Sequence, residues 1–284
     1  MDITNAQRAC VLMEALPYIQ KYHNKIIVVK YGGSAMLNEE LKRQVIGDIA
    51  LLCLVGIRVV LIHGGGPEIS EMLAKVGMES EFVDGLRVTD KETAEVVQMV
   101  LAGKINKSLV ALMGTFGKNA IGLSGMDSHM IRVKAMSERL GYVGEITSIN
   151  PAPIFDLLEG GYIPIISTVG CDERGETYNI NADTAAAKIA AALEAESLIS
   201  MTDIPGLLRD VEEETSLIKR VSVDDIPELI SQGVISGGML PKIQCCVDAV
   251  KEGVRKVFII DGRVPHSILI ETLTNEGIGT MVTR

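Results

Sequence analysis

The sequence predicts an α/β protein with a largely parallel central sheet. Three observations carry this. Short β-branched runs such as Ile26-Ile27-Val28-Val29 and Val59-Val60-Leu61-Ile62 are apolar on both faces, as strands buried between helical layers must be. Stretches of helical periodicity separate them, and strands alternating with helices indicate parallel pairing. Both runs end close to glycines, Gly32-Gly33 and Gly64-Gly65-Gly66, and each glycine loop leads into a helix.

The first element, residues 1–23, reads as a helix with Val11, Ala15, Tyr18 and Tyr22 on one stripe and Leu12, Leu16 and Ile19 beside it. Pro17 should kink or split it. It packs either on its own subunit or on a neighbouring one. Strands are expected at 26–31 and 58–63, with a helix at 39–55 between them and another at 67–76. Residues 80–88 read as an extended segment or hairpin. Thr89-Asp90-Lys91-Glu92 is a capping box that opens a helix to about residue 101, and a separate helix is expected at 105–116. Strands at 119–123, 129–134 and 141–146 come next. Pro151 and Pro153 open a helix ending near residue 160, and a strand at 162–167 comes after it.

In the second half the expected elements are an alanine-rich helix at 182–193 and a strand at 198–202. A charged hairpin or loop excursion at 208–223 precedes helices at 226–231 and 239–252. A strand at 256–260 and a short helix at 266–273 complete the pattern. A soft boundary near residue 175 divides the chain into a helical arm (1–24), an N-terminal lobe (25–175) and a C-terminal lobe (176–284).

Composition narrows the function. The chain has 284 residues, 47% of them hydrophobic, enough for a large core. Its net charge of −10 comes with no basic block, which argues against a nucleic-acid partner. Five cysteines, an odd number, without a secretory signal indicate reduced thiols and a cytoplasmic location. Cys245 and Cys246 lie inside a helical pattern as packing residues. The four histidines are scattered with no metal-binding pair, so no protein metal site is expected. The apolar stretches read as too short to span a membrane.

The candidate chemistry gathers at strand and helix ends. Lys30 closes a buried strand, where an ammonium is costly without anionic partners. The glycines after it, and Gly64-Gly65-Gly66, can present backbone N–H groups to a phosphate or carboxylate; the plain alternative for the second set is a tight turn. Arg87 stands just before a helix, where its planar fork suits a carboxylate. Asn179, Asn181 and Asp183 crowd one helix start; Asn181 reads as the cap, and Asn179 and Asp183 as facing a site. Thr202-Asp203-Ile204-Pro205-Gly206-Leu207 is a turn-rich segment after a strand that could cover a nucleotide base. Lys242 sits in the first turn of a helix, where the dipole disfavours a cation unless an anion binds nearby. Neither GxxxxGK[ST] nor GxGxxG occurs, and Ser124 lacks the last glycine of GxSxG. Together these features suit phosphoryl transfer between two anionic molecules by a route other than a P-loop.

The ordered set KYGG at Lys30, HGGGPEI at His63, GLRVTD at Gly85, GYVGEI at Gly141, INP at Ile149, NINAD at Asn179, TDIPGL at Thr202, GGMLPK at Gly237 and DGRVPH at Asp261 resembles the amino acid kinase family. Within it, the resemblance is to the branch acting on N-acetyl-L-glutamate. It runs from about residue 15 to the C-terminus. It implies a three-layer α/β/α sandwich around a mainly parallel open sheet, and transfer of the γ-phosphoryl of ATP, with Mg2+, to the side-chain carboxylate of N-acetyl-L-glutamate. The product is an acyl phosphate of arginine biosynthesis. By motif match, Lys30, Lys242 and Asp183 are catalytic. Gly64, Gly65, Arg87 and Asn179 bind the acid. Gly32, Gly33, Thr202, Asp203, Gly206, Leu207 and Ser236 bind the nucleotide. In Gly125-Met126-Asp127-Ser128 the methionine and serine replace the lysine and glycine of many relatives.

Members with a helix before the KYGG strand are typically hexamers, trimers of dimers, inhibited by L-arginine. The same is expected here, with Tyr18, Glu276 and Gly279 at the arginine site. The alternatives are a kinase of another acid, such as acetylaminoadipate or aspartate, and a non-catalytic arginine-sensing domain. Retention of Lys30 and Lys242, and the chain's end at Arg284, argue against the sensor. Binding of a nitrogen-signalling protein is compatible with catalysis and is left open by the sequence.

Overall fold

The structure, a computed structural model, describes residues 4–33, 36–210 and 212–284. Residues 1–3 of the first expected helix, Ser34 after the first glycine pair, and Val211 in the charged excursion lie outside the described residues. The first elements are α1 (Asn5–Tyr22), β1 (Ile26–Tyr31), α2 (Glu39–Leu54), β2 (Arg58–His63) and α3 (Gly66–Lys75). A small hairpin, β3 (Phe82–Val83) with β4 (Leu86–Arg87), leads to α4 (Lys91–Gln98), a π-helical stretch (Met99–Ile105) and α5 (Asn106–Gly114). Then come β5 (Ala120–Ser124), β6 (Ile131–Ala135), β7 (Gly144–Ile149), α6 (Ala152–Glu159), β8 (Ile163–Ser167), β9 (Val169–Cys171) and β10 (Thr177–Asn179). The remainder is α7 (Ala182–Ala192), β11 (Ser197–Thr202), β12 (Arg220–Ser222), α8 (Ile226–Ser231), α9 (Met239–Lys251), β13 (Lys256–Asp261), α10 (Ser267–Leu273) and β14 (Thr280–Thr283).

Eight strands form the main sheet in the order β12-β14-β13-β11-β1-β2-β8-β5. All neighbouring pairs are parallel except β13 with β14. The sheet is continuous across residue 175, because β1 pairs with β11. Strand alternation assigns the two faces. Val28, Val60, Ile62, Ile166 and Leu198 meet the apolar sides of α6, α7, α8 and α9. Ile27, Val29, Leu61, Ile165 and Ile199 meet α2, α3, α4, α5 and α10. Helices thus cover both faces, which is the expected three-layer sandwich.

Several local expectations need correction. α1 is not split at Pro17, which is tolerated inside one helix. The two helices expected at 89–101 and 105–116 are one continuous run, joined by the π-helical stretch rather than broken near Gly103. That run, Lys91–Thr115, is therefore the one helix among the described residues long and apolar enough by length and composition to cross a membrane, contrary to the sequence reading. Here its Val97, Leu101, Leu109 and Met113 line the core. Asp90, not Thr89, caps it, accepting from the Thr93 N–H at 2.8 Å; the Thr89 hydroxyl turns back to the Arg87 carbonyl. The β9–β10 hairpin, the edge strand β12 and its neighbour β14 were not foreseen. They are three or four residues long, too short for a hydrophobic period to register. β9 and β10 join β6 and β7 in a second, four-stranded sheet.

Candidate active site

Alternation along β1 sends Val28 and Lys30 to the same face, so Lys30 emerges under the N-terminus of α7. Its ammonium lies 2.8 Å from Asp183 Oδ1 and donates to the Met201 carbonyl at 3.3 Å. Lys242, in the first turn of α9, reaches the other carboxylate oxygen at 3.2 Å. One aspartate thus bridges two lysines from different elements. Burial alone would raise the Asp183 carboxyl, but the two ammoniums beside it hold it down at about 2. It is ionised at neutral pH, and the cluster carries two positive charges against one negative. Asn181 caps α7 as expected, accepting from the Asp183 and Thr184 N–H groups at 2.9 and 3.0 Å. This fixes the helix start that carries Asp183.

The sequence missed Ser200. It pairs with Lys30 across the β1–β11 ladder, and its hydroxyl lies 3.4 Å from Asp183 Oδ1. Nothing local marks it, since its relevance comes from strand pairing alone.

A cavity of about 160 Å³ opens beside the glycine loop, and the residues expected to hold the acid meet there: Gly64, Gly65, Arg87 and Asn179. Arg87 is 6% exposed and is bonded only to neutral groups: Ser80 Oγ at 2.6 Å, Ser70 Oγ at 2.8 Å and the Gly66 carbonyl at 3.0 Å. It also sits over the Phe82 ring at 4.7 Å. Burial lowers its pKa, yet a guanidinium keeps its charge at neutral pH. A buried cation with no carboxylate salt bridge among the described residues, facing a cavity of this size, suits a small carboxylate. The Asn179 amide reaches Thr89 Oγ1 at 3.4 Å.

All the expected nucleotide residues but Ser236 lie at or beyond the C-terminal ends of β1 and β11. Gly33 (φ 76°) passes so close to Asp203 that a Cβ there would stand 2.5 Å from Oδ1. Gly32 runs beside the Lys30 side chain. Thr202 folds its own turn, accepting from the Ile204 N–H at 3.2 Å. Gly206 packs against Thr280, whose hydroxyl accepts from the Leu207 N–H at 2.8 Å, and the Leu207 side chain is in the core. Ser236 is exposed three residues ahead of α9, its carbonyl accepting from the Met239 N–H. Of the expected arginine-site residues, Tyr18 donates to the Asn275 side chain, tying α1 to the C-terminal segment. Glu276 is exposed, 3.9 Å from Lys219. Gly279 packs on the Ile259 carbonyl, and Glu271, rather than Glu276, accepts from the N–H groups of Ile278 and Gly279.

Comparison with known proteins gives the family. The profile of the amino acid kinase family matches residues 25–261. The acetylglutamate kinase of Brachyspira hyodysenteriae is 54% identical over 282 residues, covering 99% of this chain and 98% of that protein. The acetylglutamate kinase of Clostridioides difficile strain 630 is 54% identical over 279 residues, covering 98% of each. Among solved structures, N-acetylglutamate synthase from Neisseria gonorrhoeae, complexed with coenzyme A and N-acetyl-glutamate, superposes with a TM-score of 0.86 at 26% identity. It matches 97% of this chain, which spans 63% of that longer one. Carbamate kinase from Giardia, at 16% identity and a TM-score of 0.67, shares the fold. The chain belongs to the amino acid kinase family, and acetylglutamate kinases are its near-full-length relatives there.

Proposed function

We propose that the protein transfers the γ-phosphoryl of ATP to the side-chain carboxylate of N-acetyl-L-glutamate, giving N-acetylglutamyl 5-phosphate for arginine biosynthesis. The observation that carries this is the Lys30–Asp183–Lys242 cluster beside a cavity whose buried Arg87 has only neutral partners. A carboxylate is already a nucleophile at neutral pH, so the reaction needs no general base. It needs alignment and neutralisation of the charge on the phosphoryl oxygens.

In this reading Arg87 and Asn179 hold the acid, and the Gly65 N–H donates to the reacting carboxylate, with Gly64, whose own N–H goes to the Tyr31 carbonyl at 3.2 Å, setting the loop beside it. Lys30 and Lys242 approach the phosphoryl from the nucleotide side while Asp183 fixes their spacing. Gly32, Gly33, Thr202, Asp203, Gly206, Leu207 and Ser236 shape the nucleotide's seat. Residues 25–175 then supply most of the acid site and 176–284 most of the nucleotide site, with Asn179 and the Gly32-Gly33 pair crossing between them. Mg2+ offsets phosphate charge. Among the described residues no three His, Cys, Asp or Glu side chains cluster to ligate it, and Asp183 is taken by two lysines. The nucleotide phosphates are therefore its natural ligands.

The same reading extends to regulation. Val11, Leu12 and Met13 on α1 are 58%, 72% and 64% exposed, an apolar stretch suited to a neighbouring subunit in a hexamer. The Tyr18–Asn275 link places that arm against the segment ending in Gly279, where L-arginine is proposed to bind. The deciding experiment offers ATP and Mg2+ with acetylglutamate, acetylaminoadipate, aspartate and glutamate in parallel, and traps acyl phosphate with hydroxylamine. Turnover of acetylglutamate above the other acids is expected, reduced by millimolar arginine. Absence of turnover from a folded protein that binds arginine would favour the sensor reading instead.

A further inference from the structure

Asn106 is fully buried beneath the glycine loop, in contact with residues of β2, β5 and β8. Its amide nitrogen faces His63 Nε2 at 3.2 Å, the Leu123 carbonyl at 3.2 Å and the Ile165 carbonyl at 2.9 Å. Its oxygen accepts from Lys107, which also donates to the Gly122 carbonyl at 2.9 Å. Gly122 is what makes room, since a Cβ there would stand 1.9 Å from the Asn106 oxygen.

His63, also fully buried, continues the chain of bonds. Its Nδ1 lies 2.9 Å from the Gly64 carbonyl oxygen, which only accepts, so Nδ1 carries the proton and Nε2 accepts from Asn106. Burial keeps the ring neutral, with its pKa lowered to about 4. The tautomer is therefore fixed by the Gly64 carbonyl on Nδ1 and matched by the Asn106 amide on Nε2, and the ring grips the first peptide of the glycine loop.

The π-helical stretch puts Asn106 in place. The Asn106 N–H bonds back five residues to the Leu101 carbonyl. The extra residue in that turn rotates α5 by about 100° relative to an uninterrupted α-helix. Leu101 and Ile105, from the same stretch, pack against Gly65, where a Cβ would meet them at 2.8 and 2.2 Å. One irregular turn thus supports the glycine loop by shape and, through His63, by hydrogen bonding.

We propose that Asn106 is a positioning residue for phosphoryl transfer, acting through His63 and the Gly64 peptide, whose N–H donates to the Tyr31 carbonyl at 3.2 Å, to aim the Gly65 N–H at the reacting carboxylate. The inference rests on the carboxyl-kinase reading above. Neither side chain lines the cavity, so both act on the loop and not on the substrate.

The test measures kcat and both KM values for wild type, Asn106→Leu, His63→Gln and His63→Asn, with thermal midpoints for each. In His63→Asn the amide nitrogen takes the place of Nδ1 and keeps the bond to the Gly64 carbonyl. In His63→Gln the amide reaches the Nε2 position and leaves that carbonyl unbonded. Asn106→Leu and His63→Gln should lose about ten- to a hundred-fold in kcat, the scale of a misplaced reacting group. Their nucleotide KM should stay within about twofold of wild type. His63→Asn should recover most of what His63→Gln loses. Folded Asn106→Leu with wild-type kcat, or equal losses in the two His63 variants, would overturn the proposal. So would a loss that falls in proportion on kcat, both KM values and the thermal midpoint, since that marks general destabilisation. If Asn106→Leu does not fold, the His63 pair decides alone. Wild-type turnover separates the failures: without it the underlying reading falls and this proposal with it.

Discussion

Asp183 and Asp48 are aspartates packed against opposite faces of one sheet, and they titrate in opposite directions. Asp183, with Lys30 and Lys242 on its two oxygens, is held at about 2. Asp48, on α2, is buried with a single partner, the half-exposed His266 at 2.6 Å. Burial pushes its carboxyl up to about 6 despite that bond. Its other oxygen has no hydrogen-bond partner among the described residues. Burial penalises the ionised form in both places, and the number of cations within bonding distance decides the outcome. Arg87 is the complementary case, a buried cation whose partners are neutral. The region that handles anions is thus one where fixed charge exceeds internal compensation, and the α2–α10 interface is not.

The strongest way to break this contrast is to remove a cation from Asp183. Lys30→Met leaves the carboxylate with one partner, and should raise its pKa towards that of Asp48. It should lower kcat by about a hundred- to a thousand-fold, with the nucleotide KM little changed. Steady-state kinetics with saturating acid checks this.

The next effect concerns pH. His63 is lowered from 6.5 to about 4, so its contribution to stability is complete above about 6.5 and is lost as pH falls through 4. Asp48 is raised from 3.8 to about 6, so its contribution is complete below about 3.8 and is lost as pH rises through 6. Each shift is worth about 3 kcal/mol, and between pH 4 and 6 the two slopes oppose each other. Asp48→Asn removes one of them. From pH 7 to 4.5 its stability should drop by about 2 kcal/mol more than that of wild type, read from urea unfolding.

Arg87→Lys sharpens the contrast in a different way. It keeps the charge and loses the fork, so the acid's KM should rise by about ten- to thirty-fold with kcat less affected. A change of shape without charge is read in stability. Gly65→Ala alters no charge but drives a methyl into Ile105 and Leu101. It should cost about 1–3 kcal/mol of stability, seen as a lower urea midpoint.

Sequence legibility tracked local physics. Lys30, Gly64, Gly65, Arg87, Asn179 and Asp183 stand at strand ends and helix starts, and such places are marked by short-range patterns. Ser200, Asn106 and the donor role of His63 were not legible as parts of one site. Each matters only through a partner brought by strand pairing or by the π-helical turn. The helix from 91 to 114 was read as two for a related reason, since the π-helical stretch that joins them is held by the core that packs against Leu101 and Ile105.

The sequence by itself determined the layering. Apolar runs of strand length alternating with amphipathic helices leave few other ways to bury both faces of a sheet. It also determined where anion-handling groups sit along the chain, because glycines, caps and strand-end charges are local features. Only the tertiary structure decided that Lys30 and Lys242, 212 positions apart, share one carboxylate, and that Asp48 has a single histidine partner where Asp183 has two lysines. Those facts depend on strand order and on which helix ends converge, and the free energy of a buried charge is set by neighbours distant in the chain.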